Sequence, residues 1–286
     1  MSHPLFAKSA TILKHVQNTG YRGGAFPNST DNLNTDVMQT AQSTIIGWPG
    51  YSPTPLLSLG PVATLCGVRA VYYKDESHRF GLKSFKALGG AYAVAKLVEA
   101  EKKAGRDPAQ LTVTTATDGN HGRSLAWGAQ LAGCHAEIYI HKHVSTARES
   151  AMSSYGANVT RVNGNYEASL AACKADAEAH GWQIVSDTSW RGYRDVPLLI
   201  MAGYTLIGQE VTKQLGPDKL THCFLPIGVG GLAGGVVAPL WQYMNDDMPI
   251  MISVESHMSA CFLESIAAQA PTLVDITEET LMAGLS

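Results

Sequence analysis

The sequence predicts an α/β protein built from doubly wound, open parallel sheets, and three observations carry that expectation. From residue 111 onward, short apolar strand-like runs alternate with helical patterns. A glycine-rich turn, IGVGGLAGG (227–235), follows one apolar run and opens a helical stretch. A second turn, TATDGNHGR (115–123), does the same earlier in the chain. Repeated strand-to-helix steps of this kind imply parallel pairing, with helices on both faces of the sheet.

The elements follow in order. NTGYRGGAFPNSTDNLN (18–34) is rich in turn formers and is expected to be irregular. A helix is expected from Ser84, whose hydroxyl suits an N-cap, with Phe85, Leu88, Ala91 and Val94 at helical spacing. Within it, Gly89 and Gly90 leave room for another element to approach closely. TVTTA (112–116) is the next strand, followed by a helix through Leu131 and a strand at AEIYI (136–140). STARESAMSSYG is helical and leads to NVTRV (158–162), while YEASLAACKADAEAHG leads to WQIVS (182–186). The pattern resumes with a helix over 197–215, HCFLPIG (222–228), a helix over 231–244 and IMISVE (250–255). DTSWRGYRDVP (187–197) is polar and aromatic, which suits a loop over a cleft. The expected division is a large domain from 1–107 and 189–286, with a smaller one inserted at 108–188.

Composition narrows the partners. Lys and Arg number 21 against 24 Asp and Glu, so the clustered basic excess of a nucleic-acid binder is missing. The five cysteines (Cys66, Cys134, Cys173, Cys223, Cys261) are odd in number and form no CxxC pair. They read as small buried hydrophobes in a reducing compartment, not as staples or metal ligands. No metal site is expected: His121 reads as a satisfied helix histidine, and His141 and His143 as a solvated strand end. MSHPLFAKSATILKHV lacks the long apolar core of a signal peptide, and VPLLIMAGYTLIG is too short and interrupted to span a bilayer. A soluble cytoplasmic protein follows, with no membrane and no nucleic-acid partner.

Open α/β sheets bind ligands at the carboxyl ends of their strands. Three such loops carry unusual residues: 115–123, 186–190 and 227–235. Five glycines in the last (Gly228, Gly230, Gly231, Gly234, Gly235) exceed what a bare turn needs and suit an amide nest for a phosphate. Gly228, Gly230 and Ala233 also fit a dinucleotide GxGxxA pattern, with Glu255 where a ribose-binding acid would sit. An NAD-dependent oxidoreductase using the 228–233 loop is therefore one alternative. Lys86 falls in a first helical turn, where the helix dipole disfavours a positive charge. It is either a surface lysine or a nucleophile whose amine is kept partly neutral. Asp118 reads as a helix N-cap or a functional carboxylate, Asn120 as a turn stabiliser or a ligand contact, and Asp187 as a turn aspartate or a second functional carboxylate.

In their order and spacing, SFK, GNHG and GVGGLAGG resemble the fold-type-II pyridoxal-phosphate (PLP) enzymes, which include serine and threonine dehydratases. The resemblance runs from about Tyr51 to the last residue. Most members carry a serine where this chain has Asp118. Together with KDESHRFGLKSFKALGGAYA, DTSWRGYRDVP and the terminal MAGLS, that aspartate makes the chain similar to the diaminopropionate ammonia-lyases. The resemblance implies pyridoxal 5'-phosphate as cofactor, with Lys86 forming its Schiff base and Phe85 beside it. It implies that Asn120 bonds the cofactor's 3-hydroxyl and that the backbone of Gly228, Val229, Gly230, Gly231 and Leu232 holds its phosphate. It further implies a homodimer that eliminates ammonia from 2,3-diaminopropionate, yielding pyruvate and two ammonia. Two carboxylates, Asp118 and Asp187, complement the extra amine of that substrate. Close carboxylates also split their pKa values, so one serves as base at Cα and the other manages the leaving amine, with the assignment open. A serine/threonine dehydratase-like lyase is the alternative within the class. Because family members continue past the AGLS stretch, the large domain is expected to be incomplete at its C-terminus, and an inactive truncated remnant is a further alternative.

Overall fold

The computed structural model describes residues 15–19, 24, 26 and 33–275. Most of the irregular stretch expected over 18–34, and the terminal MAGLS, lie outside the described residues. Helix α1 (Thr35–Ile46) begins where the Asn34 side chain accepts the Val37 N–H at 2.9 Å. Strand β1 (Leu56–Ser58), helix α2 (Gly60–Cys66) and strand β2 (Tyr72–Lys74) follow, with β1 and β2 paired antiparallel. The last three are too short to show a period, so nothing in the sequence marks them. Helix α3 (Lys86–Lys103) has Phe85, not Ser84, at its N-cap position. Ser84 still helps the first turn, because its hydroxyl accepts the Lys86 N–H at 3.2 Å.

Next come β3 (Thr112–Ala116), α4 (Asn120–Ala132), β4 (His135–His141), α5 (Thr146–Ser153), β5 (Asn158–Val162), α6 (Tyr166–His180) and β6 (Gln183–Ile184). The four strands form one parallel sheet in the order β5-β4-β3-β6. Side chains alternate as a pleated strand requires. Ile138 and Ile140 join the core with Leu125 and Ala126 of α4, whereas Tyr139 packs with Cys173 of α6 on the other face. Helices thus cover both faces. The chain steps outward from β3 to β5 and returns to β6 on the far side of β3, so strand order reverses between β3 and β6. That reversal opens a crevice at their carboxyl ends. Strand β6 is shorter than WQIVS suggested, because the Tyr193 hydroxyl replaces the ladder. It accepts the Ser186 N–H at 2.7 Å and donates to the Ile184 carbonyl at 3.0 Å.

Helix α7 (Asp195–Leu215), β7 (His222–Pro226), α8 (Gly231–Met244), β8 (Ile250–Val254) and α9 (Cys261–Ala268) complete the described chain, with β7 and β8 parallel. Helix α7 packs against α1, α3 and α8. Its approach to α3 depends on missing side chains: a Cβ on Gly203 would stand 2.6 Å from the Leu88 carbonyl oxygen, and one on Gly89 2.5 Å from the Tyr204 ring. Gly235 does the same for α8, where a Cβ would meet Tyr204 at 2.6 Å.

A buried ionic cluster ties the segment before α3 to α7. Arg79 is 1% exposed. Its Nη1 and Nη2 donate to the two Glu210 carboxylate oxygens at 2.8 Å each, and its Nε donates to Glu76 at 2.8 Å. Lys74 adds a 2.6 Å contact to Glu210. Burial pushes the Glu210 carboxyl up, but the bonds and charge of Arg79, then Lys74, more than offset this and leave it below the ordinary value. A depressed carboxylate stabilises the fold fully above its ordinary value of 4.5 and loses that contribution as pH falls. Glu210→Ala should cost about 3 kcal/mol, because it strips one partner from a buried guanidinium. Urea unfolding at neutral pH measures this loss, and the difference from the unmodified protein should shrink as the titration is repeated at progressively lower pH.

Candidate active site

The crevice between β3 and β6 collects polar side chains from distant parts of the chain. Lys86, in the first turn of α3, donates from Nζ to Asp187 Oδ2 at 2.7 Å. The side chains are 21% and 24% exposed, so the pair lines an accessible cleft without lying loose in solvent. A carboxylate in direct contact outweighs the partial charge of a helix end. Burial pushes the Asp187 carboxyl up, while the basic neighbours His121 and Lys86 and the Lys86 hydrogen bond more than offset it, holding it well below the usual carboxylate range.

Asp118 follows β3 and has a separate partner: its Oδ1 contacts His141 Nε2 at 2.8 Å. The helix-cap reading of Asp118 does not hold. The N-cap position of α4 is Gly119, and the Thr117 hydroxyl accepts the N–H groups of Gly119 and Gly122 at 3.0 and 3.1 Å. His141, expected to be solvated, has a side chain only 14% exposed because the aspartate holds it against the strand end. Each functional carboxylate candidate therefore has its own basic neighbour. Both charges reach Tyr166, whose hydroxyl is pushed up to about 12 by burial first and then by Asp187 and Asp118. Asn120 opens α4 and is exposed at the same end of the sheet. His121, one residue on, is buried, with Nε2 at 2.8 Å from the Val185 carbonyl oxygen and Nδ1 3.8 Å from Asp187. From the sequence it reads only as a satisfied helix histidine; its Nε2 does have a partner, but across the sheet, and its Nδ1 has no hydrogen bond.

The glycine loop forms the opposite wall. Gly230 is the N-cap of α8 with φ +87°, a left-handed conformation that glycine adopts without cost, and no side chain caps the helix. The first amides of a helix have no partner within it, so this uncapped end presents donors to an anion. Val229 is 62% exposed, and Gly228, Gly231 and Leu232 are partly exposed beside it. Of the five glycines expected to cradle a phosphate, Gly234 and Gly235 instead serve packing, against Met201 and Tyr204. Tyr204 joins the two walls. Its ring meets Phe85 edge-on at 5.1 Å and lies 3.8 Å from where a Cβ on Gly231 would stand. Its hydroxyl is buried with no hydrogen-bond partner.

Further expectations meet the structure elsewhere. Glu255, the proposed ribose acid, is engaged otherwise: its two carboxylate oxygens accept the Phe262 and Leu263 N–H groups at 2.8 Å each, capping α9. The dinucleotide alternative loses its acidic residue to that cap. All five cysteines are free, but only Cys173 is buried as expected: Cys134, Cys223 and Cys261 are half-buried, and Cys66, which ends the short α2 at the surface, is exposed. Among the described residues, no cluster of His, Cys, Asp and Glu could hold a metal ion, and no helix is long and apolar enough to cross a membrane.

An accessible lysine, an anion-binding helix end and an orphaned tyrosine hydroxyl between them fit a phosphorylated carbonyl cofactor. On a doubly wound parallel sheet this arrangement defines the class of fold-type-II PLP enzymes. The family model described as "Pyridoxal-phosphate dependent enzyme" matches residues 48–286, and the chain belongs to that family, whose cofactor is pyridoxal 5'-phosphate. The chain is 37% identical to the diaminopropionate ammonia-lyase of Escherichia coli K12 over 250 residues, covering 83% of this chain and 63% of that protein. The diaminopropionate ammonia-lyase of Salmonella typhimurium is 34% identical over 258 residues, with 83% and 64% covered. The chain thus spans less than two thirds of the length of these curated relatives. The crystal structure of the E. coli enzyme in complex with an aminoacrylate-PLP azomethine reaction intermediate superposes with a TM-score of 0.84 at 35% identity, covering 95% of this chain and 70% of that one.

Gly230→Val tests the anion wall. No atom lies within 4 Å of its missing Cβ, so the penalty comes from the left-handed backbone and the branched side chain projecting into the anion's space. A strain of about 1–2 kcal/mol predicts roughly tenfold weaker cofactor binding. Titration of both proteins with pyridoxal 5'-phosphate, followed by absorbance, measures the change.

Proposed function

We propose that the protein is a PLP-dependent ammonia-lyase that eliminates ammonia from 2,3-diaminopropionate, leaving an aminoacrylate that hydrolyses to pyruvate and a second ammonia. The observation that carries this reading is the Lys86–Asp187 contact at the switch point of the sheet, with Asp118 at the neighbouring strand end. When bound, pyridoxal 5'-phosphate supplies an electron sink for charge developing at the substrate's α-carbon. Lys86 anchors that group, and the uncapped amides of 228–232 hold its phosphate. Asn120, at the start of α4, would bond the ring hydroxyl, and Phe85 and Tyr204 would form an apolar floor. Asp187, held ionised well below the usual carboxylate range, is a weak base, so the Lys86 amine takes the α-proton in place of the carboxylate expected there, and Asp187 steadies that amine by contact. Asp118, half exposed and backed by His141, receives the ammonium at the β-position and holds it as it leaves.

The assembly proposed is a homodimer. Leu57, Val62, Leu65, Val68 and Tyr73 are all exposed on the β1–α2–β2 unit. Across 57–73 the only charged residue is Arg69, and Asp218 takes its charge at 3.2 Å. An apolar strip of this kind suits a second copy of the chain. The proposed division into a large domain (1–107 and 189–286) and a small one (108–188) places the whole four-stranded sheet in the latter and the glycine loop in the former. Leu65→Asp should convert the dimer to a monomer with an unchanged circular dichroism spectrum, as read by sedimentation velocity. A monomeric unmodified chain would contradict this assembly.

Substrate choice rests on Asp118. An ionised carboxylate attracts an ammonium leaving group and offers a hydroxyl no proton. Asp118→Ser should lower elimination from diaminopropionate roughly a hundredfold, the loss of a few kcal/mol of charge pairing, while sparing or raising serine turnover. Pyruvate formation from each substrate measures this. An unchanged ratio of specificity constants would sink the assignment, and turnover of serine alone would favour the dehydratase reading.

A further inference from the structure

Resting on the reading of Lys86 as the cofactor lysine, the inference concerns His121, which that reading leaves without a task. The ring is 4% exposed and held by one hydrogen bond, from Nε2 to the Val185 carbonyl oxygen at 2.8 Å. A carbonyl only accepts, so Nε2 carries a proton, and Nδ1 is the ring nitrogen left to gain or lose one. Nδ1 is buried, has no hydrogen-bond partner and stands 3.8 Å from Asp187 Oδ2. That same oxygen receives the Lys86 ammonium at 2.7 Å. A buried nitrogen left without a donor or acceptor calls for an explanation, and here its neighbour is a carboxylate whose bonded cation, Lys86, must be surrendered during the reaction.

The groups facing this cluster come from several elements. Tyr166 of α6, Tyr193 of the loop before α7, and Tyr204 of α7 all lie within reach of the Asp187 charge, and burial first, with that charge adding, raises each of them above its ordinary value. They stay neutral and cannot balance a carboxylate. Asp118 contributes a second negative charge at Tyr166. Among the described residues, the basic groups recorded against Asp187 are Lys86 and His121.

We propose that His121 is a positioning residue that takes up a proton at Nδ1 when Lys86 gives up its charge, so that Asp187 stays ionised and in place. Lys86 Nζ loses one proton and His121 Nδ1 gains one, and no bond to carbon forms or breaks. The Lys86, Asp187 and His121 group is neutral overall before and after. The protonated ring turns an unfilled contact into a charge-assisted one and spares the partly buried carboxylate an uncompensated charge.

Nitrogen NMR of the full, cofactor-free chain labelled at histidine tests this at pH 7. In the unmodified protein, His121 should give the signals of a neutral ring protonated at Nε2. In Lys86→Met, both ring nitrogens should shift to the positions of the doubly protonated ring. Lys86→Gln, closer in shape, is the second variant should the methionine protein fail to fold. Lys86→Arg, which restores a fixed positive charge, should return the neutral pattern, a result that a purely structural histidine would not produce. Identical His121 signals in the unmodified protein and in the variants lacking the charge would overturn the proposal, as would a doubly protonated ring in the unmodified protein. The readout needs neither cofactor nor substrate, so its failure and a failure of the lyase assay are separate results.

Discussion

The close approach of α3 and α7 is the constraint on which the rest of the molecule depends. Gly89 and Gly203 remove the side chains that would keep these helices apart, and the space is filled by Tyr204 and Ile200. Interiors pack at crystal-like density, so a single added methyl at such a crossing must displace backbone. The same crossing sets the site. Tyr204 reaches Phe85 beside Lys86 and runs under Gly231 and Gly235, so one residue of α7 fixes the spacing between the lysine and the glycine loop. A change in the helix crossing would open or close the cleft before it altered any functional side chain.

The turn that delivers Lys86 is itself strained, and the strain is held by named contacts. Phe80, Gly81 and Lys83 all have positive φ, at 49°, 71° and 56°. Two of the three are not glycine, which costs about 1–2 kcal/mol each. Arg79 locks the start of the turn to Glu210 of α7. Arg123 of α4 donates to the Leu82 carbonyl at 3.1 Å, and Phe80 packs on Trp127 with ring centroids 4.7 Å apart. Strain of this kind persists where surrounding structure over-determines it, and it tends to gather at functional positions. Here it aims the first turn of α3 at the strand ends instead of at solvent.

Much of this was legible in the sequence, for reasons that differ by residue. TVTTA and NVTRV are readable to the residue because each is a bounded run of β-formers, the first buried between helices and the second the largely exposed edge strand of the sheet. The helix at 231–244 is equally plain, since a glycine turn marks its start. The positions of Lys86, Asp118, Asp187 and the glycine loop at strand and helix ends could be read from order alone. Their partners could not. The pairing of Lys86 with Asp187 spans 101 residues, and those of Asp118 with His141 and His121 with Val185 depend on which strands are neighbours. WQIVS looked like a full strand because the hydroxyl that ends it belongs to Tyr193, seven residues beyond Ser186. Nothing in the sequence marks Arg79 and Glu210, and only the fold reveals that they are buried against each other.

The account stands or falls on the identity of the cofactor lysine. The most direct measurement is to incubate the full chain with pyridoxal 5'-phosphate, reduce with borohydride, digest and map the modified peptide by mass spectrometry. The account predicts a single stoichiometric label on Lys86, the lysine that lies against Asp187 and below the glycine loop. Stoichiometric labelling of another lysine, such as the neighbouring exposed Lys83, or no label at saturating cofactor, would contradict it.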